Sequence, residues 1–247
     1  MGRRPISPYT SSCLTILLIA CLVLITAPAG GFILAQSCGG GGGGGCGNIG
    51  DTNFNPNDGG SGNDGCSPII IDIQGKGYHL TNAQNGVPFD MTGKVQQQVA
   101  WTAKDSGNAF LCLDRNGNGK IDNGKELFGN FTDQPPSAEP SGFLALAEFD
   151  KPENGGNGDG IIDQRDKIFS SLRLWVDANH DGISQADELF KLPDLGVFSI
   201  NLKYKESRHM DRFGNQFRFR AQINGEPAQG NPSQASGLAY DVFLVAQ

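Results

Sequence analysis

The sequence predicts an α+β domain, with short helices and acidic loops in the centre and antiparallel strands at the two ends. Three observations lead there. Runs at residues 197–204, 216–223 (QFRFRAQI) and 239–246 (AYDVFLVA) alternate apolar and polar residues with period two, as antiparallel strands with one wet face require. Shorter central stretches carry the apolar spacing of helices. Between these lie three acidic, glycine-pinned loops: DRNGNGKIDNGKE (residues 114–126), NGDGIIDQRD (157–166) and DANHDGISQADE (177–188).

Residues 1–35 read as a secretory signal peptide. Arg3 and Arg4 form its charged start, residues 14–25 its apolar run, and residues 26–35 a small-residue tail. Cleavage after Ala35 is expected, leaving Gln36 first. Ala29 is a second candidate, lipidation at Cys21 a third route, and a retained membrane anchor the alternative. Residues 36–67 are a Gly/Asn-rich linker containing seven consecutive glycines, too poor in apolar side chains to offset its ordering entropy.

Residues 68–247 form the expected domain, long enough for one sizeable core. Residues 69–73 and 99–102 read as strands, and 109–113 as a strand or short helix. Residues 143–149 read as a helix with Ser141 as its cap, and 167–174 as another. Ser184 is placed to cap a short helical turn reaching Phe190. The three alternating runs follow.

The formal net charge is −7. Loss of Arg3 and Arg4 leaves 17 cations against 26 acids, or −9. Such a balance argues against nucleic-acid and anionic-membrane partners. Once the signal is removed, four of six cysteines remain, Cys38, Cys46, Cys66 and Cys112. An even count in an exported chain suggests disulfides. The preferred pairing is Cys38–Cys46 with Cys66–Cys112, and the alternative leaves Cys112 a buried free thiol.

The acids concentrate in the three loops, where alternate residues carry side-chain oxygens ahead of a glycine and a closing carboxylate. A hard cation such as Ca²⁺ takes six to eight oxygens in this way, from positions 1, 3, 5, 7, 9 and 12, with glycine at 6. In the first loop the candidate ligands are Asp114, Asn116, Asn118, the Lys120 carbonyl and Asp122. Lys125 falls at position 12, so Glu126, one residue later, must close the site. In the second loop Asn157, Asp159, the Ile161 carbonyl, Asp163 and Asp166 fall at positions 3, 5, 7, 9 and 12. Gly155 stands at position 1 and offers no side chain. Either Asp150 reaches back across the insertion KPENG or the site lacks a ligand; the first is preferred. In the third loop the candidates are Asp177, Asn179, Asp181, the Ile183 carbonyl and Glu188. Two further segments, starting at Asp72 and Asp90, keep the leading Asp and a glycine but put Lys where a carboxylate would sit, so neither is expected to bind. Isolated Asp–Gly segments make ordinary turns, but three within 75 residues, each with glycine at position 6, point to metal.

The stretches LDRNGNGKIDNGKELFGN, GFLALAEFD, GDGIIDQRDKIFSSLRLWVDANHDGISQADELFKL and LGVFSINL together resemble an EF-hand-like calcium-binding module of secreted bacterial RTX-type proteins, including the iron-regulated ones, and of short secreted bacterial relatives. The third loop, with Ile183 one position early, resembles a bacterial thrombospondin type 3 calcium repeat. The resemblance covers roughly residues 68–204 and implies Ca²⁺-dependent folding outside the cytoplasm. A self-processing branch of that family cleaves an Asp-Pro bond; this chain contains no Asp-Pro, and it lacks the nonapeptide glycine repeats of RTX β-rolls.

The resulting expectation is a secreted, non-catalytic calcium-binding protein, its domain folded or rigidified by Ca²⁺ and suited to surface display or adhesion. Its partners are calcium ions and an unidentified surface or protein partner, with no membrane insertion after signal cleavage. A calcium-dependent extracellular hydrolase is the alternative. It is disfavoured because His79, His180 and His209 make no metal-ligand spacing and no nucleophile elbow is present. A third reading is an interaction module pairing through FRFR (residues 217–220) as an edge strand.

Overall fold

The three alternating runs do form strands, and those strands dominate the molecule. The computed structural model describes residues 65–224 and 237–247, which lie within one compact unit. The expected signal peptide, almost all of the linker and the Cys38–Cys46 pair lie outside the described residues. Eleven strands are present among the described residues: β1 Ile69–Asp72, β2 Val87–Phe89, β3 Gln97–Val99, β4 Asn108–Cys112, β5 Ile161–Asp163, β6 Arg173–Trp175, β7 Leu189–Lys191, β8 Ser199–Asn201, β9 Lys205–Met210, β10 Gln216–Ile223 and β11 Gly237–Phe243. Nine form one antiparallel sheet in the order β5-β8-β10-β11-β1-β4-β6-β7, with β9 added to β10; β2 and β3 pair separately.

The predicted α+β class is therefore wrong. Among the described residues, helix is confined to the six-residue α1, Gly142–Ala147, and to short 3₁₀ turns, so the fold is mostly β. The sharpest local difference is the helix expected over residues 167–174. Only Lys167–Ser170 turns, as 3₁₀, and Arg173–Trp175 is the strand β6, pairing Phe110 with Trp175 and Trp175 with Leu189. Its apolar residues fit a helical spacing equally well, and sheet pairing on both sides decides the outcome. α1 appears where expected, with the Ser141 hydroxyl accepting the Leu144 N–H. Ser184 does not cap the later turn; Gln185 stands at its N-cap, its backbone N–H donating to the Glu188 carboxylate at 3.4 Å and its carbonyl accepting the Glu188 N–H at 3.0 Å.

The centre of the sheet is covered on both faces. Ile69, Ile71, Ala109 and Leu111 pack with Phe143, Leu146, Ile200 and Phe219, whereas Ile70, Phe110 and Cys112 face a second cluster around Trp101, Trp175, Phe89 and Leu127. Unbroken apolar runs such as Ile69-Ile70-Ile71 arise from this burial, because successive strand residues point to opposite faces. β10 keeps a wet face over most of its length, and β9 beside it is largely exposed. A bulge between Phe217 and Phe219 sends Phe217 to the second cluster and Phe219 to the first. β10 is bonded to β11 on one side and to β8 and β9 on the other. FRFR is thus an interior strand, with the Arg218 guanidinium lying 4.7 Å from the centre of the Phe243 ring.

Cys112 is a buried free thiol, so the expected Cys66–Cys112 disulfide is not made. Cys112 ends β4 within the second cluster, where burial pushes its thiol well above the usual range.

Candidate metal centre

The first loop leaves β4, the second contains β5, and the third joins β6 to β7. The first and third are closed at the base in the same way. The Leu113 N–H donates to the Glu126 carbonyl at 2.8 Å, and the Val176 N–H to the Glu188 carbonyl at 3.0 Å.

One hydrogen-bonding template repeats in all three. The leading aspartate accepts the N–H of the position-6 glycine: Gly119 to Asp114 at 2.7 Å, Gly160 to Asp150 at 2.9 Å and Gly182 to Asp177 at 2.9 Å. The position-3 side chain accepts the position-5 N–H: Asn118 to Asn116, Asp159 to Asn157 and Asp181 to Asn179. Position 5 in turn accepts from position 7: Lys120 to Asn118, Ile161 to Asp159 and Ile183 to Asp181. The closing carboxylate accepts the position-9 N–H: Asp122 to Glu126 at 2.7 Å, Asp163 to Asp166 at 2.8 Å and Gln185 to Glu188 at 3.4 Å. These side-chain–backbone bonds curl each loop around its own centre, with φ of 81°, 81° and 72° at Gly119, Gly160 and Gly182, a conformation that penalises any residue with a Cβ.

This template resolves the two irregular sites. Glu126 closes the first loop although Lys125 occupies position 12, since the extra residue is absorbed between Asp122 and Glu126. Asp150 takes the leading role in the second loop, accepting from Gly158 at 3.0 Å as well as from Gly160. The insertion folds back over a 3₁₀ turn, Pro152–Asn154, and Gly156 lies against the Asp150 backbone. A Cβ at Gly156 would sit 2.2 Å from the Asp150 carbonyl. Gly156→Ala is expected to cost about 1–3 kcal/mol by forcing these backbones apart. Urea denaturation checks this, and wild-type stability would mean that Asp150 is not held there.

The carboxylates at the ends of the loops are buried: Asp150, Asp177, Glu126, Asp166 and Glu188 are all under 9% exposed. A buried carboxylate needs donors to offset its lost hydration, and here the loop amides supply them. The two tryptophans add to this in the third loop. Trp101 donates its indole N–H to Asp177 at 2.7 Å, and Trp175 to Glu188 at 3.3 Å. His180 holds a φ of 63°, with its ring nitrogens 2.8 Å from the Thr102 carbonyl and 2.9 Å from the Asn85 carbonyl.

The loops are also tied to one another. The Ile121 N–H donates to the Ser184 hydroxyl at 2.7 Å, joining position 8 of the first loop to position 8 of the third. Arg115 places its guanidinium over Phe128 and over Phe149, the neighbour of Asp150, while its Nε donates to the Lys125 carbonyl. None of these links shows in the sequence, because each joins residues far apart along the chain. The segments at Asp72 and Asp90 are folded as turns on their own aspartates, with Gly77 bonded to Asp72 and Lys94 to Asp90.

Among the described residues no three His, Cys, Asp or Glu side chains converge tightly enough to hold a metal by themselves. Oxygen is the only donor type in these sets, which suits a hard cation rather than a thiophilic one.

A model of the SPM domain matches residues 69–238, which takes in β1 to the start of β11 and all three loops. The chain belongs to the SPM domain family. This SPM domain chain is also 42% identical, over 143 residues, to the iron-regulated protein FrpA of Neisseria meningitidis serogroup C. That alignment takes in 56% of this chain and 12% of the relative, so the chain spans a small part of the larger protein's length. The expected likeness to an iron-regulated protein is found at this level.

Proposed function

We propose that this SPM domain protein is a secreted, non-catalytic calcium-binding protein whose domain is folded or rigidified by Ca²⁺. One observation carries the reading: a single side-chain–backbone template is built three times, each time placing a carboxylate at the start and at the close of an oxygen-rich loop turned by a position-6 glycine. The ligands are Asp114, Asn116, Asn118, Lys120, Asp122 and Glu126 in the first loop. They are Asp150, Asn157, Asp159, Ile161, Asp163 and Asp166 in the second, and Asp177, Asn179, Asp181, Ile183 and Glu188 in the third, with Lys120, Ile161 and Ile183 acting through their carbonyls. Turns alone need no carboxylate at both ends of the loop, five of the six buried here; a dication between them would offset their mutual repulsion. An extracellular setting, in display or adhesion, suits both the leader-like start of the sequence and the roughly 10⁻⁴ to 10⁻³ M affinity that such modules reach outside cells.

Calorimetric titration of Ca²⁺ into chelator-stripped protein tests the proposal. Two or three binding events are expected. Because ligand binding stabilises by RT ln(1 + [L]/Kd), about 5 mM Ca²⁺ should raise the melting temperature by about 10–20 °C. No heat at millimolar Ca²⁺, with an unchanged melting temperature, overturns the reading and leaves the loops as turns.

A further inference from the structure

The second loop already contains a cation. Arg165 Nη2 lies 2.6 Å from Asp159 Oδ2 and 2.6 Å from Asp163 Oδ2, so one guanidinium bridges positions 5 and 9. Its Nε lies 3.0 and 3.1 Å from the two oxygens of Asp163, and its backbone N–H donates to Asp163 Oδ1 at 2.8 Å. The other loops close the same gap with neutral amides. Asp122 accepts from the side chains of Asn116 and Asn118, and Asp181 from those of Asn179 and Gln185. Those amides need only rotate to present an oxygen to a metal. Lys125 of the first loop has a similar place in sequence, but its stem lies over Gly93, and it forms no ion pair among the described residues.

We propose that Arg165 is a built-in counterion of the second loop, holding its metal-free form together and competing with the divalent cation, so that this loop fills last. The inference rests on the calcium reading above and adds an order of filling to it. Asp159 and Asp163 cannot face both a guanidinium and a dication, because the two positive charges would be brought within a few ångströms of each other. Binding therefore swings Arg165 into water, which its half-exposed side chain, at 55%, leaves open to it. The exchange costs the two ion pairs, and each exposed pair of this kind is worth a factor of a few in affinity.

The test follows the Gly119, Gly160 and Gly182 amide resonances of isotope-labelled, chelator-stripped protein as Ca²⁺ is added, for wild type, Arg165→Gln and Lys205→Gln. The last removes an equal charge from the exposed strand β9. Expected is a Gly160 midpoint above the other two in wild type, falling roughly 3- to 10-fold in Arg165→Gln with Gly119 and Gly182 unmoved, and no such fall in Lys205→Gln. In chelator, Arg165→Gln should melt lower than wild type, because the acids of the loop lose their counterion. A Gly160 midpoint unchanged or raised by Arg165→Gln, while all three glycines still respond to Ca²⁺, overturns the counterion role and leaves the calcium reading standing. No response at any of the three glycines overturns both.

Discussion

Replacing Asp177 by Ala is expected to be the most damaging single change in the loops, costing about 3–5 kcal/mol even in chelator. Asp177 accepts four N–H donors: Trp101 Nε1 and Gly182 on one oxygen, His180 and Asp181 on the other. Deleting the carboxylate strands several of them, two in buried surroundings, and each buried unsatisfied donor costs about 1–3 kcal/mol. The chain has only two tryptophans, and both donate to third-loop carboxylates. Intrinsic emission is therefore a private reporter of that loop. On the calcium reading, wild-type emission shifts as Ca²⁺ draws Asp177 and Glu188 toward one centre, and Asp177→Ala abolishes that shift at millimolar Ca²⁺. Asp177→Asn separates charge from shape. It keeps an acceptor for one donor pair, should cost less in chelator, and should still lose the Ca²⁺-dependent emission change. Urea denaturation gives the stability, and fluorescence titration gives the rest. A wild-type emission insensitive to Ca²⁺ while calorimetry records binding would detach the third loop from the metal.

The template was legible in sequence to the extent that it is local. Residue type at alternating positions names the Asx turns, and the glycine at position 6 names the left-handed residue, so the three loops could be located and Asp150 proposed across its insertion. What supports the loops was not legible, because it is not local. Trp101 reaches Asp177 from 76 residues away, and Ser184 reaches Ile121 from 63 away. Arg165 is an intermediate case. It is visible in NGDGIIDQRD, but only the geometry seats it between Asp159 and Asp163.

The error in fold class has the same origin. Residues 167–174 (KIFSSLRL) satisfy a helical period, but strands on either side of Arg173–Trp175 offer backbone partners that an isolated segment does not have. In contrast, β10 announces itself because one of its faces stays wet. The central strands lack that signal, since a strand buried on both faces shows no alternation to read. The packing of Ile70 against one cluster and Ile69 and Ile71 against the other is a consequence of the sheet's position, not of anything local to the triplet.

The second large effect lies away from the loops. Asp241 sits in β11, completely buried, opposite Ile69 and Phe219. Its Oδ2 accepts the Gly142 N–H at the start of α1 at 2.6 Å, and its Oδ1 takes no hydrogen bond among the described residues. Burial pushes its carboxyl up from 3.8 to about 6, against smaller opposing pulls from the Ser67 hydroxyl, the Gly142 N–H and the Arg218 guanidinium. A carboxyl whose pKa is raised on folding binds its proton more tightly in the native state. The contribution of Asp241 to stability is therefore greatest below about pH 4, falls as pH rises from about 4 to 6, and is flat above. At neutral pH the native state carries a cost of about 3 kcal/mol, the pKa difference converted at 1.36 kcal/mol per pH unit. Asp241→Asn keeps the acceptor for Gly142 and removes the charge. It is expected to recover about 1–3 kcal/mol at pH 7.5, to raise the melting temperature by about 5 °C, and to remove the decline between pH 4 and 6. Thermal melts of both proteins in chelator across pH 4–8 decide the matter. A variant less stable than wild type at pH 7.5 would mean that the carboxylate is worth more as an acceptor than it costs as a buried charge.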